Sequence, residues 1–101
     1  MLILSITINV SKEIADEWRT WTAEVWVPHF MGLGYFESMR LARLLYPEPE
    51  DASLTYNLQL LCNDYAIYQT FSEKAEHECF TLLSKRFGSE LYFFQSLLEE
   101  V

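Results

Sequence analysis

Basic residues are scarce in this chain: seven Lys and Arg stand against fifteen Asp and Glu, a formal charge of −8. An acidic surface repels phosphate backbones and anionic lipid, so neither nucleic acid nor a membrane surface is an expected partner. Cysteine is scarce too, limited to Cys62 and Cys79. Residues 1–10 lack a basic flank, and their apolar positions alternate with Ser5, Thr7 and Asn9, unlike the continuous core of a signal peptide. No apolar run reaches membrane-spanning length. A cytoplasmic protein with reduced thiols is expected. The sequence also lacks a glycine-rich phosphate loop, a paired-cysteine metal motif and a serine elbow. No cofactor and no metal are therefore expected.

What the chain has is apolar material. Half of its 101 residues are hydrophobic and 16% are aromatic, too much for a disordered chain. A chain of this length folds as one domain, 1–101, and buries roughly two-thirds of the surface its unfolded form exposes. The apolar excess points to a partner subunit.

The pattern along the chain is β, α, β, β, α, β. Leu2, Leu4, Ile6, Ile8 and Val10 alternate with Ile3, Ser5, Thr7 and Asn9, a first strand. Ser11 stands where a helix N-cap belongs, ahead of a stripe of Ile14, Trp18, Trp21 and Val25 at helical spacing. Pro28 is expected to end or kink that helix near Trp26, with one further turn over 28–31. Gly32 and Gly34 then let the backbone reverse. Residues 35–46 read as a second strand carrying Arg40 and Arg43. Pro47 to Asp51 form an acidic loop closing a hairpin. Leu54, Tyr56, Leu58, Leu60 and Cys62 alternate with Thr55, Asn57, Gln59 and Leu61 in a third strand. Asn63 is the expected cap of one long helix or two short ones over 64–87, with Tyr68, Phe71, Ala75, Cys79 and Leu82 inward. Gly88 stops it, and 91–98 make the last strand.

This order is the ferredoxin-like βαββαβ arrangement, an α+β fold with a four-stranded antiparallel sheet and both helices on one face. Leu4, Ile6, Ile8, Tyr56, Leu58 and Leu60 belong under the helices. Ser5, Thr7, Asn9, Thr55, Asn57 and Gln59 take the other face. Those residues are small and neutral, whereas a wetted sheet face usually shows Lys and Glu. The expectation is that two subunits lay these faces together around a polar-lined interior.

Trp18 and Trp21, Val27-Pro28, Gly34-x-Phe36, Arg43-Leu44-Leu45, Thr55-Tyr56-x-x-Gln59, Tyr65-x-x-Tyr68, Lys85-Arg86-Phe87-Gly88 and Leu97-Leu98-Glu99 occur in an order and spacing that resembles a small bacterial family of uncharacterised function. That family is similar to the dimeric α+β barrel superfamily, whose other branches include antibiotic-biosynthesis monooxygenases and haem-degrading enzymes. The resemblance implies the fold and a homodimer, and no activity. The chain departs from it at Trp26 and Leu83, where relatives carry His.

Candidate chemistry is thin. His29 is a surface or loop histidine, or a proton carrier at the barrel mouth. Arg40 and Arg43 lie three apart and so point to opposite faces of a regular strand. One of them would hold an anion inside the barrel or close an interface ion pair. His77 and Cys79 do not face each other on a helix, and Glu73 with His77 offers at most two ligands to a metal. Trp26 lies off the core stripe and is the tryptophan placed to touch a ligand or partner. The expected ligand-binding residues are Ser5, Thr7, Asn57, Gln59, Arg40, Arg43, Trp26 and His29, in a non-catalytic homodimeric module with a small molecule in the barrel. The alternatives are a cofactor-independent oxygenase- or isomerase-like enzyme in the same barrel, and a module that binds another protein through Trp26 or the 47–51 loop.

Overall fold

A computed structural model describes residues 1–48 and 53–101. Strand β1 (Leu2–Ser11) alternates buried and half-buried positions along its whole length. It lies at the centre of the sheet, antiparallel to β3 (Ser53–Cys62) on one side and β4 (Leu91–Glu99) on the other. Strand β2 (Ser38–Arg43) pairs with the outer edge of β3, so the order is β2-β3-β1-β4. This is the ferredoxin-like α+β topology. Leu4, Ile6, Ile8, Leu58 and Leu60 are fully buried on the helix side, and Tyr56 nearly so.

The first helical run differs from the sequence reading. A 3-10 turn at Lys12–Ile14 leads into α1 (Ala15–Trp21), a π-helical turn (Thr22–Trp26) and α2 (Val27–Gly32). Ser11 precedes the run, but its side chain makes no capping bond. Pro28 does not break the helix: Trp26 and Val27 keep helical dihedrals. The wider π turn lies just before Pro28, where the proline has no N–H to give and its ring needs room.

The same turn changes which residues face inward. Trp18, Thr22, Trp26 and Phe30 are all 0% exposed, while Val25 is 45% exposed. Steps of four in a regular α-helix drift by about 40° each, so Phe30 would stand roughly 120° round from Trp18. The π turn takes up the extra residue and keeps the four in line. The expected stripe of Ile14, Trp18, Trp21 and Val25 is thereby corrected to Trp18, Thr22, Trp26 and Phe30, with Ile14 and Trp21 partly buried against the core. Trp21 stays half-buried, stacked on Trp26 with centroids 5.8 Å apart and edge-on to Phe87 at 5.3 Å.

The second helical region is two helices, α3 (Tyr65–Lys74) and α4 (Glu76–Phe87), joined at Ala75, whose φ of −135° leaves the helical range. Asp64 rather than Asn63 caps α3, its carboxylate accepting from the Ile67 amide at 2.9 Å. Asn63 instead donates to Glu37. Phe71, Ala75, Cys79, Leu83 and Phe87 are buried, again four apart. A straight helix would carry that series about 160° round, and the break at Ala75 resets it. Leu83 therefore faces the core in place of the expected Leu82.

Gly34, at φ +84°, turns the chain toward β2. The second strand is shorter than expected because Phe36 folds inward, its ring 4.9 Å from that of Phe71, and Leu45 and Tyr46 leave the sheet exposed. Of the expected acidic hairpin loop, Pro49, Glu50 and Asp51 lie outside the described residues. Among the described residues, no helix is long and apolar enough to cross a membrane.

Candidate functional site

The fold leaves the sheet face away from the helices uncovered, and pairing registers fix its rows. Directly opposed residues share a face. Leu61, Ile3 and Leu98 form an apolar row beside Ser38. Next comes Arg40, Gln59, Ser5 and Ser96, then Ala42, Asn57, Thr7 and Phe94, then Thr55, Asn9 and Tyr92. Four polar candidates, Ser5, Thr7, Asn57 and Gln59, are thus brought together at the middle of the face. Arg40 closes their row at the β2 edge and supplies its only ionic side chain among the described strand residues.

The polar groups largely satisfy one another. Asn57 Nδ2 donates to Ser5 Oγ at 2.9 Å and to Thr7 Oγ1 at 3.2 Å. Asn9 Nδ2 donates to Ser53 Oγ at 2.8 Å and to Thr55 Oγ1 at 3.1 Å. The two central strands are therefore cross-linked by side chains as well as backbone. Around this ladder lie exposed Phe94 and Tyr92 and half-buried Ile3 and Leu61. The arrangement offers hydrogen-bonding groups in an apolar frame, with positive charge at one border.

The other sequence candidates lie elsewhere. Arg43 pairs with Tyr56 and so belongs to the helix side of β2, which resolves the two arginines: Arg40 is on the open face and Arg43 is not. Trp26, expected off the core stripe, is inside it, its indole Nε1 donating to the Cys79 carbonyl at 2.9 Å. The physical reason is the π turn. His29 is half-buried in the helix layer, with Nε2 3.9 Å from a Glu78 carboxylate oxygen on α4 rather than at the open face. His77 is exposed and Cys79 buried, so they do not meet. Burial, with the carboxylates of Glu78 and Glu76 adding to it, pushes the Cys79 thiol up to about 12. Burial and Asp64 raise Cys62 as well. Neither thiol is therefore a ready nucleophile. Among the described residues no group of three or more acidic, His or Cys side chains is placed to hold a metal.

Sequence reasoning missed Phe94, Tyr92 and Leu98 as members of the open face. Their parity along the last strand carried the signal, since residues 92, 94, 96 and 98 share one side. It also missed Thr22, which is fully buried with its hydroxyl unpaired among the described residues, as is the indole N–H of Trp18. Only the spacing of Trp18 and Trp26, with Thr22 midway between them at an interval of four, hinted at that position.

Three solved structures share this architecture. An ethyl tert-butyl ether D (EthD) family protein from Bacillus halodurans is 15% identical, with 100% of both chains covered and a TM-score of 0.70. HapK from Hahella chejuensis is 14% identical over 100% of this chain and 93% of that one, TM-score 0.70. A dimeric ferredoxin-like protein from an uncultured marine organism is 15% identical over 99% and 98%, TM-score 0.54. Such identities show the fold alone. No curated protein matches the chain. A family model does, described as a domain of unknown function, DUF4286, and it spans residues 1–101. With the match running from the first strand through the last, this chain belongs to the DUF4286 family, whose function is unknown.

Proposed function

We propose that the chain is a non-catalytic homodimeric module whose two open sheet faces lie together and hold a small molecule against Ser5, Thr7, Asn57 and Gln59, with Arg40 at the border. The observation that carries this reading is the chemistry of the face: neutral polar groups framed by Ile3, Leu61, Phe94 and Leu98. A neutral face is compatible with its own copy, which a face of one charge would repel, and a two-fold pairing presents the same patch from both sides. A similar fold occurs in a protein described as dimeric, which supports the assembly. Two buried, unpaired thiols suit a reducing cytoplasm.

The rival reading is a cofactor-independent enzyme in the same space. Acid–base work near neutral pH needs a His, a carboxylate or a lowered thiol at the reacting atoms. Among the described strand residues the open face has none of these, and its titratable groups are Arg40 and Tyr92.

Native mass spectrometry of the untagged protein tests the proposal. A dimer with a reproducible extra mass is expected. Asn57→Leu and Gln59→Leu should keep the dimer and lose that mass. An empty dimer would remove the ligand from the proposal, and a clean monomer would overturn it.

A further inference from the structure

A second surface concentrates the chain's few cations. Of seven basic residues, Lys12, Arg19 and Arg43 line two grooves that share Arg43, on the helix side of the β2 edge. The first groove, about 360 Å³, lies between α1 and β2 and is walled by Arg19, Leu41, Ala42, Arg43 and Tyr56. Among the described residues no carboxylate lines it. The phenol of Tyr56 is almost fully buried, and its ring packs at 5.0 Å on that of fully buried Trp18. The aromatic part of the wall is thus held in place from behind.

Acidic residues approach from two flanks. Glu48 borders the adjoining groove with Lys12 and Arg43, and Asp16 and Glu24 border a third groove that shares Arg19 and Leu41. Yet among the described residues neither Arg19 nor Arg43 is in an ion pair, whereas Arg86 is paired with Glu17. In a protein with twice as many acids as bases, two arginines that border one groove, with no carboxylate partner among the described residues, leave two cationic side chains free to meet an anion. Guanidinium groups present parallel donors that match carboxylate and phosphate oxygens. Half-buried Leu41 offers an apolar contact to the body of an organic anion.

We propose that this groove binds the oxyanion of a small molecule, a carboxylate or a phosphate, between Arg19 and Arg43. The site lies on the opposite side of β2 from the open face and does not rest on the dimer reading. Arg40, on that open face, has no part in it.

Amide chemical shifts of the full chain at low ionic strength, titrated separately with benzoate and with inorganic phosphate, test this. Saturable shifts at Arg19, Leu41, Arg43 and Tyr56 are expected with one or both probes, and the stronger of the two identifies the oxyanion. Added neutral salt should weaken the binding. Arg43→Gln and Arg19→Gln should each weaken it about tenfold or more, the loss of one charged hydrogen-bonding group. Arg40→Gln should leave it unchanged, and all three variants should melt as the parent does. No saturable shift with either probe, or shifts that survive Arg43→Gln, would overturn the proposal.

Discussion

The Trp26 indole donates its N–H to the carbonyl of Cys79, 53 residues away, at 2.9 Å, joining the π-helical turn to α4 inside the core. The ring also meets Phe30 and Phe80 edge-on, with centroids 5.1 and 6.1 Å away. One side chain thus ties the first helical run to α4 within the helix layer.

Trp26→Phe removes that hydrogen bond and leaves unfilled volume, so unfolding free energy should fall by about 2–4 kcal/mol. Trp21→Phe, at a half-exposed position, should cost less. Urea unfolding of the two variants checks the order, and an equal or reversed cost would contradict the placement of Trp26.

The two glycines that bracket Leu33 should respond oppositely to alanine. Gly34 has φ +84°, and a Cβ there meets nothing within 4 Å, so the penalty of Gly34→Ala is backbone strain of about 1 kcal/mol or more. Gly32 has equal room but no positive φ, and it is the last residue of α2. Gly32→Ala should stabilise by about 0.4–1 kcal/mol. Thermal melting of both variants reads the signs.

Alkaline pH should weaken the fold through Cys79. Burial holds its thiol protonated to about 12 in the folded chain, while the unfolded thiol ionises near an ordinary 9.0. Between those values the unfolded chain has released a proton that the folded chain keeps. This stabilisation is complete below the unfolded value and is lost as pH rises toward the folded one. Urea midpoints should fall from about pH 9 upward, and less steeply in Cys79→Ala. An identical alkaline slope in the variant would show that Cys79 is not the cause.

Strands β1 and β3 were legible because one face is buried and the other is not, which imposes a period of two on both. The neutral open face followed from the same parity. Trp26 was not legible, because a count of 3.6 residues per turn excludes the π turn that brings it inward. A repeat was nevertheless present: Trp18, Thr22, Trp26 and Phe30 keep an interval of four, as do Phe71, Ala75, Cys79, Leu83 and Phe87. Two helical regions with that interval both needed an interruption. The partition of Arg40 from Arg43 followed from their odd separation, but which lay outward depended on register with Gln59 and Tyr56. The groove shared by Arg19 and Arg43 had no local signal, since it joins a helix to a strand over twenty residues on.

The amide ladder of Asn9 and Asn57 has a thermodynamic consequence. Exposed polar side chains normally lose rotational freedom when something settles on them, at about 0.5–1.5 kcal/mol each. Here Asn57 is already held by Ser5 and Thr7, and Asn9 by Ser53 and Thr55. Much of that ordering has taken place during folding, so contact with this floor spends little further side-chain entropy, and the floor has one shape to offer.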